Sequence, residues 1–358
     1  MFTIEKLIRP NILALLNSQK PKEKSDTSKI RLHKNENAFG SPLTKWYHRY
    51  PDSSNEKLRE ALSVVKNVNP DNIIVSNGSS ELLDAIFQGF CRPGVDNVLI
   101  CPPTCPLYEK RANIHEVKVK KAILLDDFQL NISHMELQVN ECTKIIWLCS
   151  PNNPTGNFLV RSDIETILNN FDGLIVIDEA YINYSRQKSF LKELNDYPNL
   201  IILQTMSVAW GLAGLQVDMA FASKEIIDVL NVVKQPNSIN NSTEELCLTA
   251  LEEVGQVNDI IKEIVGMRVA LKGVVEKLPY VQKVYPSDAN FLLVKMDNAN
   301  EVYHFLLSRS IAVSNQTDEP YCENCLRITI GTEDEITKLV EALADYFVEK
   351  KALETRNN

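Results

Sequence analysis

The sequence lacks any apolar run that approaches the roughly 20 residues of a membrane-spanning helix. It also lacks a basic run interleaved with aromatic residues, and its net charge is −9. The first absence argues against a membrane protein. The second argues against a nucleic-acid backbone as partner, because such a partner needs a basic surface. We therefore expect neither a membrane nor a nucleic acid among its partners.

The first residues lack the uninterrupted apolar stretch and small-residue cleavage site of a secretory signal, so we expect a cytoplasmic protein. There, its eight cysteines should be reduced rather than bridged. Cys101, Cys105, Cys322 and Cys325 could form a zinc site, but two prolines split the first pair and no metal is predicted. The five histidines are scattered and show no spacing typical of metal ligands or a catalytic triad.

The remaining composition is typical of a globular protein. The 358 residues are enough for about two domains, or for one large domain with an appendage. Apolar, β-branched runs alternate with helical patterns, and several runs are apolar on both faces. This pattern predicts a mainly parallel sheet covered by helices. The predicted strands lie at residues 72–75, 97–100, 144–148, 174–177 and 200–203.

The last third of the chain has a different pattern. Residues 256–277 are predicted to form a long helix that leads into a smaller α+β unit. Strands are predicted near residues 290–294 and 326–330, with apolar residues at helical spacing between and after them. Two domains are predicted. The large α/β domain comprises residues 46–255, and the small domain comprises residues 1–45 and 256–358.

Four turn segments follow predicted strands, where α/β folds place their ligands. Residues 76–81, SNGSSE, form a glycine turn that opens a helix and suits a phosphate. Residues 150–156, SPNNPTG, are more specific. Residues 176–181, VIDEAY, end a buried strand with two carboxylates and a phenol. Residues 205–216, TMSVAWGLAGLQ, have the small and hydroxyl residues of a ligand-binding loop but no group able to do chemistry.

In this order and spacing, the four segments resemble those of fold-type I pyridoxal-phosphate aminotransferases. Within that family, further segments look like those of histidinol-phosphate aminotransferases: KNENAFGSP and RYPDSS near the start, CPPT after a predicted strand, and CLRITIGT near the end. The resemblance extends from about residue 5 to about residue 348. It implies the α/β fold of these enzymes, pyridoxal phosphate as cofactor and a homodimer.

The resemblance also implies roles for individual residues. Asp178 would pair with the pyridinium nitrogen, which makes the ring an electron sink. Arg327 would bind the acidic end of the substrate, because a guanidinium matches such groups with two hydrogen bonds. The remaining implied cofactor contacts are those of Asn153 and Tyr181 with the phenolic oxygen, Gly78, Ser79 and Ser207 with the phosphate, and Tyr50 with the phosphate of the other subunit.

The sequence departs from the family where the chemistry is done. Val208 stands where the resemblance implies the Schiff-base lysine, which holds the cofactor and moves a proton. Gln216 replaces an arginine that binds the phosphate, and Asp218 adds a negative charge where a glycine is usual. Four further positions differ from the family. Ser80 stands in place of an acidic residue and Cys105 in place of an aromatic ring, whereas Asn237 replaces a tyrosine and Ser314 an arginine.

These departures lie on ligand-facing positions inside an otherwise intact frame. We therefore predict a homodimeric member of this family that has lost transaminase activity and binds pyridoxal phosphate weakly or not at all. Its remaining role would be structural or partner-binding. Weak binding of pyridoxamine phosphate or phosphate through Asp178, Ser79 and Ser207 is compatible with this prediction.

Two alternatives stay open. The first is an active histidinol-phosphate:2-oxoglutarate aminotransferase that uses pyridoxal phosphate with an unrecognised amine, and the amines considered are Lys224 and Lys234. The second is a protein that uses the same scaffold for another small molecule or a partner. In that case Cys105 is the only candidate nucleophile.

Several of these residues also have a purely structural interpretation. Asp178 could be a strand-end carboxylate satisfied by backbone amides. A lone arginine in a strand, such as Arg327, is commonly exposed or ion-paired. Val208 could simply fill a space, which avoids the cost of a cavity. The sequence leaves these interpretations open beside the functional ones.

Overall fold

The computed structural model describes residues 3–18, 30, 32–43 and 47–357, the last five by their backbone alone. A seven-stranded sheet forms the centre, in the order β1-β7-β6-β5-β4-β2-β3. Its strands are β1 (Ile73–Asn77), β2 (Asn97–Ile100), β3 (Lys118–Lys121), β4 (Thr143–Cys149), β5 (Leu174–Asp178), β6 (Leu200–Thr205) and β7 (Val217–Ala222). Strands β2 to β6 are parallel and β7 is antiparallel to both neighbours, which confirms the predicted mainly parallel sheet.

Helices cover both faces of this sheet because its strands are apolar on both faces. Val176 and Ile201 pack in one buried cluster with Ile86, whereas Ile177 and Ile202 belong to the cluster on the opposite face. The helices are α1 (Pro10–Ser18), α2 (Glu56–Lys66), α3 (Ser79–Phe90), α4 (Leu107–Ile114), α5 (Ile132–Gln138), α6 (Arg161–Asn170), α7 (Lys224–Val233), α8 (Asn241–Glu252), α9 (Val254–Val275), α10 (Ala299–Ser308) and α11 (Glu333–Asn357). Within the described ranges, none of them is long and apolar enough to cross a bilayer.

A second, antiparallel sheet lies in the last third of the chain, in the order β10-β11-β9-β8. Leu306 of α10 and Leu343 of α11 pack against it in a third buried cluster. The long helix predicted over residues 256–277 is α9. The strands of this sheet are β8 (Val281–Val284), β9 (Phe291–Met296), β10 (Ser314–Asn315) and β11 (Cys325–Thr329).

The N-terminal segment packs on the large sheet. Ile4, Ile8 and Ile12 lie in the same buried cluster as Ile86 and Phe90 of α3. The proposed assignment of this segment to the small domain stays a prediction, and its boundary at residue 46 lies outside the described residues.

Strand β7 decides which turns meet. Because it is antiparallel to both β1 and β6, these two strands run in the same direction, and they share it with β4 and β5. The turns after β1, β4, β5 and β6 therefore lie at one edge of the sheet. These are the four turn segments that the sequence singled out as ligand-binding.

Candidate functional site

One half of the candidate site is built around Asp178, the last residue of β5. Its Oδ2 accepts a hydrogen bond from the Tyr108 hydroxyl at 2.6 Å, and its Oδ1 accepts one from the Ala180 amide at 3.0 Å. Tyr108 is buried in the first turn of α4, where its ring stacks on Trp147 at 5.3 Å between centroids. Burial raises the pKa of Asp178, and the Tyr108 bond acts in the opposite direction.

Next to Asp178, three polar side chains connect the edge of the large sheet with the small sheet. The Asn153 amide donates to the Tyr181 hydroxyl at 3.4 Å, and the Arg327 guanidinium donates to Asn153 Oδ1. Tyr181 packs edge-on against Phe291, and the Arg327 guanidinium lies 5.4 Å from the centre of the same ring. The Arg327 side chain is thus half-buried and bonded to an amide. We call this half of the site the ring end, and it comprises Tyr108, Asn153, Asp178, Tyr181 and Arg327.

The other half of the site lies at the start of α3. The hydroxyl of Ser79, the first residue of that helix, donates a hydrogen bond to Asp218 Oδ2. Asp218 belongs to β7, where it lies opposite Ser76 of the neighbouring strand β1, and it is 4% exposed. Burial raises the pKa of Asp218, and the nearby hydroxyls of Ser79 and Thr205 act in the opposite direction. A carboxylate therefore already binds the hydroxyl that was predicted to contact a phosphate.

Other groups expected at a phosphate are also engaged within the chain. The Ser207 amide donates to Thr205 Oγ1 at 2.9 Å, and Gln216 Nε2 donates to the Ala213 carbonyl at 2.6 Å. Gly78 has φ +82°, which favours glycine, and a Cβ there would lie 3.2 Å from Gln216 Oε1. We call this half the phosphate end, and it comprises Gly78, Ser79, Thr205, Ser207, Gln216 and Asp218.

Val208 lies in the loop between β6 and β7. Its carbonyl accepts a hydrogen bond from Gly211 at 3.1 Å, and its half-buried side chain packs against the buried cluster that contains Ile202 and Met206. The packing agrees with the structural interpretation of Val208 as a residue that fills space. A valine side chain offers no amine, acid or base to a ligand.

The two lysines considered as substitute amines have their ammonium groups elsewhere. Lys224 forms an exposed ion pair with Asp228 at 2.6 Å, and Lys234 donates to the Val75 carbonyl at 2.7 Å. Burial lowers the pKa of another lysine, Lys66, to about 8. Its ammonium donates to Gln204 Oε1 at 2.7 Å and lies near the carboxylate of Glu179.

Cys105 does not have the properties of a nucleophile. Burial raises the pKa of its thiol to about 12, and the charge of Asp178 acts in the same direction. A thiol with such a pKa is almost entirely protonated near neutral pH, and the thiolate is the reactive form. Within the described part of the chain, no group of His, Cys, Asp and Glu side chains is placed to hold a metal ion.

The remaining predicted residues lie around this centre. Ser314 of β10 pairs directly with Arg327 of β11, so the position at which the resemblance implies an arginine adjoins the ring end. Asn237 lines a surface cavity of about 550 Å³ together with Lys234. Tyr50 is 57% exposed, and its implied contact with another subunit stays a prediction.

Sequence reasoning missed Tyr108 and Lys66. Tyr108 stands three residues after Cys105 in the stretch CPPTCPLY, and this aromatic residue at the start of a helix was the only local signal. Lys66 gives no local signal, because its partner Gln204 is 138 residues away. It also lies close to Glu179, a buried carboxylate whose charge favours the charged form of Lys66.

The substitution Asp178→Asn is expected to change how stability depends on pH. Burial raises the folded-state pKa of Asp178 above its ordinary value of 3.8, so protonation of this carboxyl favours the folded state. This contribution is complete below the ordinary pKa and is lost as the pH rises through the folded-state pKa. As the pH rises above this ordinary value, the urea midpoint of the wild type should therefore fall relative to that of Asp178→Asn.

A matched control for this experiment is Asp126→Asn, which removes an exposed carboxylate from the loop between β3 and α5. Its urea midpoint should follow that of the wild type across the same pH range. Parallel pH profiles for the wild type and Asp178→Asn would contradict the expected role of burial.

The fold is that of the fold-type I pyridoxal-phosphate transferases. Histidinol-phosphate aminotransferase from Sinorhizobium meliloti, solved in complex with pyridoxal-5'-phosphate, matches with a TM-score of 0.78 at 20% identity, over 87% of this chain and 89% of that chain. The enzyme of the same name from Clostridium acetobutylicum matches with a TM-score of 0.75 at 22% identity, over 82% of this chain and 89% of that chain. At these identities the likeness establishes the fold alone.

The family follows from the sequence relatives. A family model described as aminotransferase class I and II matches residues 20–343. Histidinol-phosphate aminotransferase from Flavobacterium psychrophilum is 42% identical over 96% of this chain and 98% of its own length. The enzyme of that name from Parabacteroides distasonis is 42% identical over 96% of this chain and 99% of its own length. The chain therefore belongs to the class I and II aminotransferase family, and the predicted resemblance is confirmed.

The residues of the site fit one part of pyridoxal phosphate and not another. At the ring end, a buried carboxylate, Asp178, and the pair of Asn153 with Tyr181 offer the groups that a pyridine nitrogen and a phenolic oxygen need. At the phosphate end, Ser79 is bonded to the Asp218 carboxylate, and Gln216 supplies no positive charge. A phosphate ester therefore does not fit the second half as it is built.

Proposed function

We propose that this chain is a histidinol-phosphate aminotransferase-like protein that does not catalyse transamination. The observation that supports this most directly concerns the surroundings of Asp178, Tyr181 and Cys105. In the described structure, the charged and titratable groups that act on their pKa values are Asp218, Arg327, Tyr108, Cys149 and one another, and no lysine ammonium is among them. Transamination needs an amine at this place, and the resemblance assigns the position to Val208.

The scaffold suits a role that needs its shape rather than catalysis. Buried apolar clusters cover both faces of the large sheet, which supports a scaffold that is intact apart from the proposed loss of chemistry. We propose a cytoplasmic homodimer that acts through partner binding or through a small ligand held at the ring end. The exposed Tyr50 is the residue we assign to contact with the second subunit.

An active aminotransferase is the second candidate function. It is favoured by identities of 40–42% to relatives that carry the name histidinol-phosphate aminotransferase. This candidate requires an amine supplied from outside the ring end, by movement of the chain or by another subunit. The two candidates differ in whether the protein forms a covalent adduct with pyridoxal phosphate.

The purified protein is expected to show no aldimine absorbance band, and with added pyridoxal phosphate it should show only the spectrum of the free aldehyde. After borohydride reduction, intact-mass analysis should show no adduct confined to one lysine, because Val208 cannot form one. The relative from Flavobacterium psychrophilum, treated identically, serves as the positive control. A visible band with one adduct per chain, mapped to a single lysine, would exclude the proposed loss of activity and support the second candidate.

A further inference from the structure

We propose that Asp218 is a built-in anion that occupies the phosphate end and makes the site reject phosphate esters in favour of ligands that donate a hydrogen bond there. The inference deepens the proposed function and rests on it, because both concern the same site. They differ in the group involved. The proposed function concerns a missing amine, whereas this inference concerns which ligand the site admits.

The position of Asp218 follows from the insertion of β7 beside β1. The register pairs Asp218 with Ser76, three residues before Ser79, and directs the Asp218 carboxylate to the first residue of α3. The N-terminus of a helix stabilises negative charge, and this is where α/β folds bind phosphates. The carboxylate of Asp218 thus has the sign and hydrogen bond of a phosphate at this helix, but it is part of the chain.

A second observation concerns the other carboxylate oxygen. Asp218 Oδ1 is buried and makes no close hydrogen bond with the described residues, although the hydroxyl of Thr205, its partner on β6, lies near the same carboxylate and lowers its pKa. A buried acceptor without a partner is unfavourable, so a ligand hydroxyl or ammonium that donates to it would be stabilised. A phosphate ester offers only acceptors and negative charge, and both oppose Asp218.

No positive charge in the described site offsets this repulsion at the phosphate end. Gln216, the residue beside Gly78, is neutral and donates to its own turn. The Arg327 guanidinium donates a hydrogen bond to Asn153 Oδ1 at the ring end. Asp178 adds a second carboxylate, and its charge and that of Asp218 repel each other. The site therefore combines two carboxylates with one guanidinium, a balance that disfavours a dianion.

The test compares pyridoxamine 5′-phosphate with pyridoxamine, which carries a hydroxyl in place of the phosphate, by titration calorimetry. Neither probe is an aldehyde, so neither can bind covalently to a lysine. Asp218→Gly is expected to bind pyridoxamine 5′-phosphate at least tenfold more tightly than the wild type does. Its affinity for pyridoxamine should stay the same or fall, because the acceptor for the hydroxyl is gone.

Asp218→Asn removes the charge and keeps the volume, and it decides the question if the glycine variant does not fold. It is expected to gain affinity for the phosphate ester as well, by a smaller factor. Asp126→Asn, with the same charge change at an exposed position, should bind both probes as the wild type does. Thermal unfolding checks that each variant is folded.

The inference is wrong if the phosphate ester binds the wild type and both Asp218 variants equally, including the case in which none of them binds it. It is also wrong if both probes gain affinity by the same factor. Neither result bears on the missing amine, which borohydride reduction tests separately. A single-lysine adduct in the wild type would remove the proposed function, whatever the calorimetry shows.

Discussion

Val208→Lys alone is expected to leave transaminase activity at least about 100-fold below that of the Flavobacterium psychrophilum relative, a difference in barrier of about 2.7 kcal/mol. The substitution supplies an amine, but it leaves the phosphate end and the substrate side as they are. Ser79 would still be bonded to Asp218, and Gln216 would still be neutral.

The magnitudes support this expectation. A charge-assisted hydrogen bond of the kind that Gln216 cannot form contributes about 1.5–3 kcal/mol. An aromatic ring stacked on another contributes about 0.5–1.5 kcal/mol, and Cys105 cannot supply it. Together they amount to about 2–4.5 kcal/mol, which corresponds to roughly 30- to 2,000-fold before the charge of Asp218 is included.

The measurement is kcat/KM for histidinol phosphate and 2-oxoglutarate, with Val208→Met as the control that adds length without an amine. The triple variant with Val208→Lys, Gln216→Arg and Asp218→Gly should exceed Val208→Lys by at least tenfold, because it restores positive charge and removes negative charge at the phosphate end. Activity of Val208→Lys within tenfold of the relative would show that the amine was the only important loss.

Glu179→Ala is expected to lower the free energy of unfolding by about 3–5 kcal/mol. Glu179 is 2% exposed, and its carboxylate accepts hydrogen bonds from Ser189 Oγ at 2.5 Å, the Phe190 amide at 2.8 Å and Gln204 Nε2 at 2.9 Å. Removing it leaves the Phe190 amide and the Ser189 hydroxyl without this acceptor, whereas Gln204 Nε2 keeps a contact with Ser189 Oγ at 3.4 Å. Each buried donor without an acceptor costs about 1–3 kcal/mol. It also removes the carboxylate that favours the charged form of Lys66.

Urea unfolding at neutral pH measures this effect, and two further variants identify its cause. Glu179→Gln keeps an acceptor for the Phe190 amide and should be destabilised by about 1 kcal/mol. Lys66→Met in the Glu179→Ala background should recover part of the loss, because the uncompensated ammonium is removed. A loss below 1 kcal/mol in Glu179→Ala would mean that water satisfies the donors that the carboxylate leaves behind.

Much of the fold was accessible from the sequence because hydrophobic periodicity is a local property. The predicted strands at residues 97–100, 174–177 and 200–203 correspond to β2, β5 and β6, and the helix predicted over residues 256–277 is α9. Strand β7 was not predicted. Its sequence, VDMAFA, places a carboxylate among apolar residues, which weakens the local pattern of a buried strand.

Only part of the candidate site could be predicted from the sequence. Asp178, Asn153 and Tyr181 come together as expected, since they follow neighbouring parallel strands whose ends share one edge of the sheet. The hydroxyl of Tyr108 and the carboxylate of Asp218 were not predicted as the partners of Asp178 and Ser79. The roles assigned to these residues toward a cofactor stay predictions.

By itself, the sequence determined the layered architecture, the turns that carry the site and the positions at which those turns depart from the family it resembles, because each depends on residues near one another in the chain. Only the tertiary structure decided which groups face each other. Ser79 and Asp218 are 139 residues apart, and Tyr108 and Asp178 are 70 residues apart. Their contacts depend on the order and register of the strands, above all on the insertion of β7 between β1 and β6, and no local pattern encodes that order.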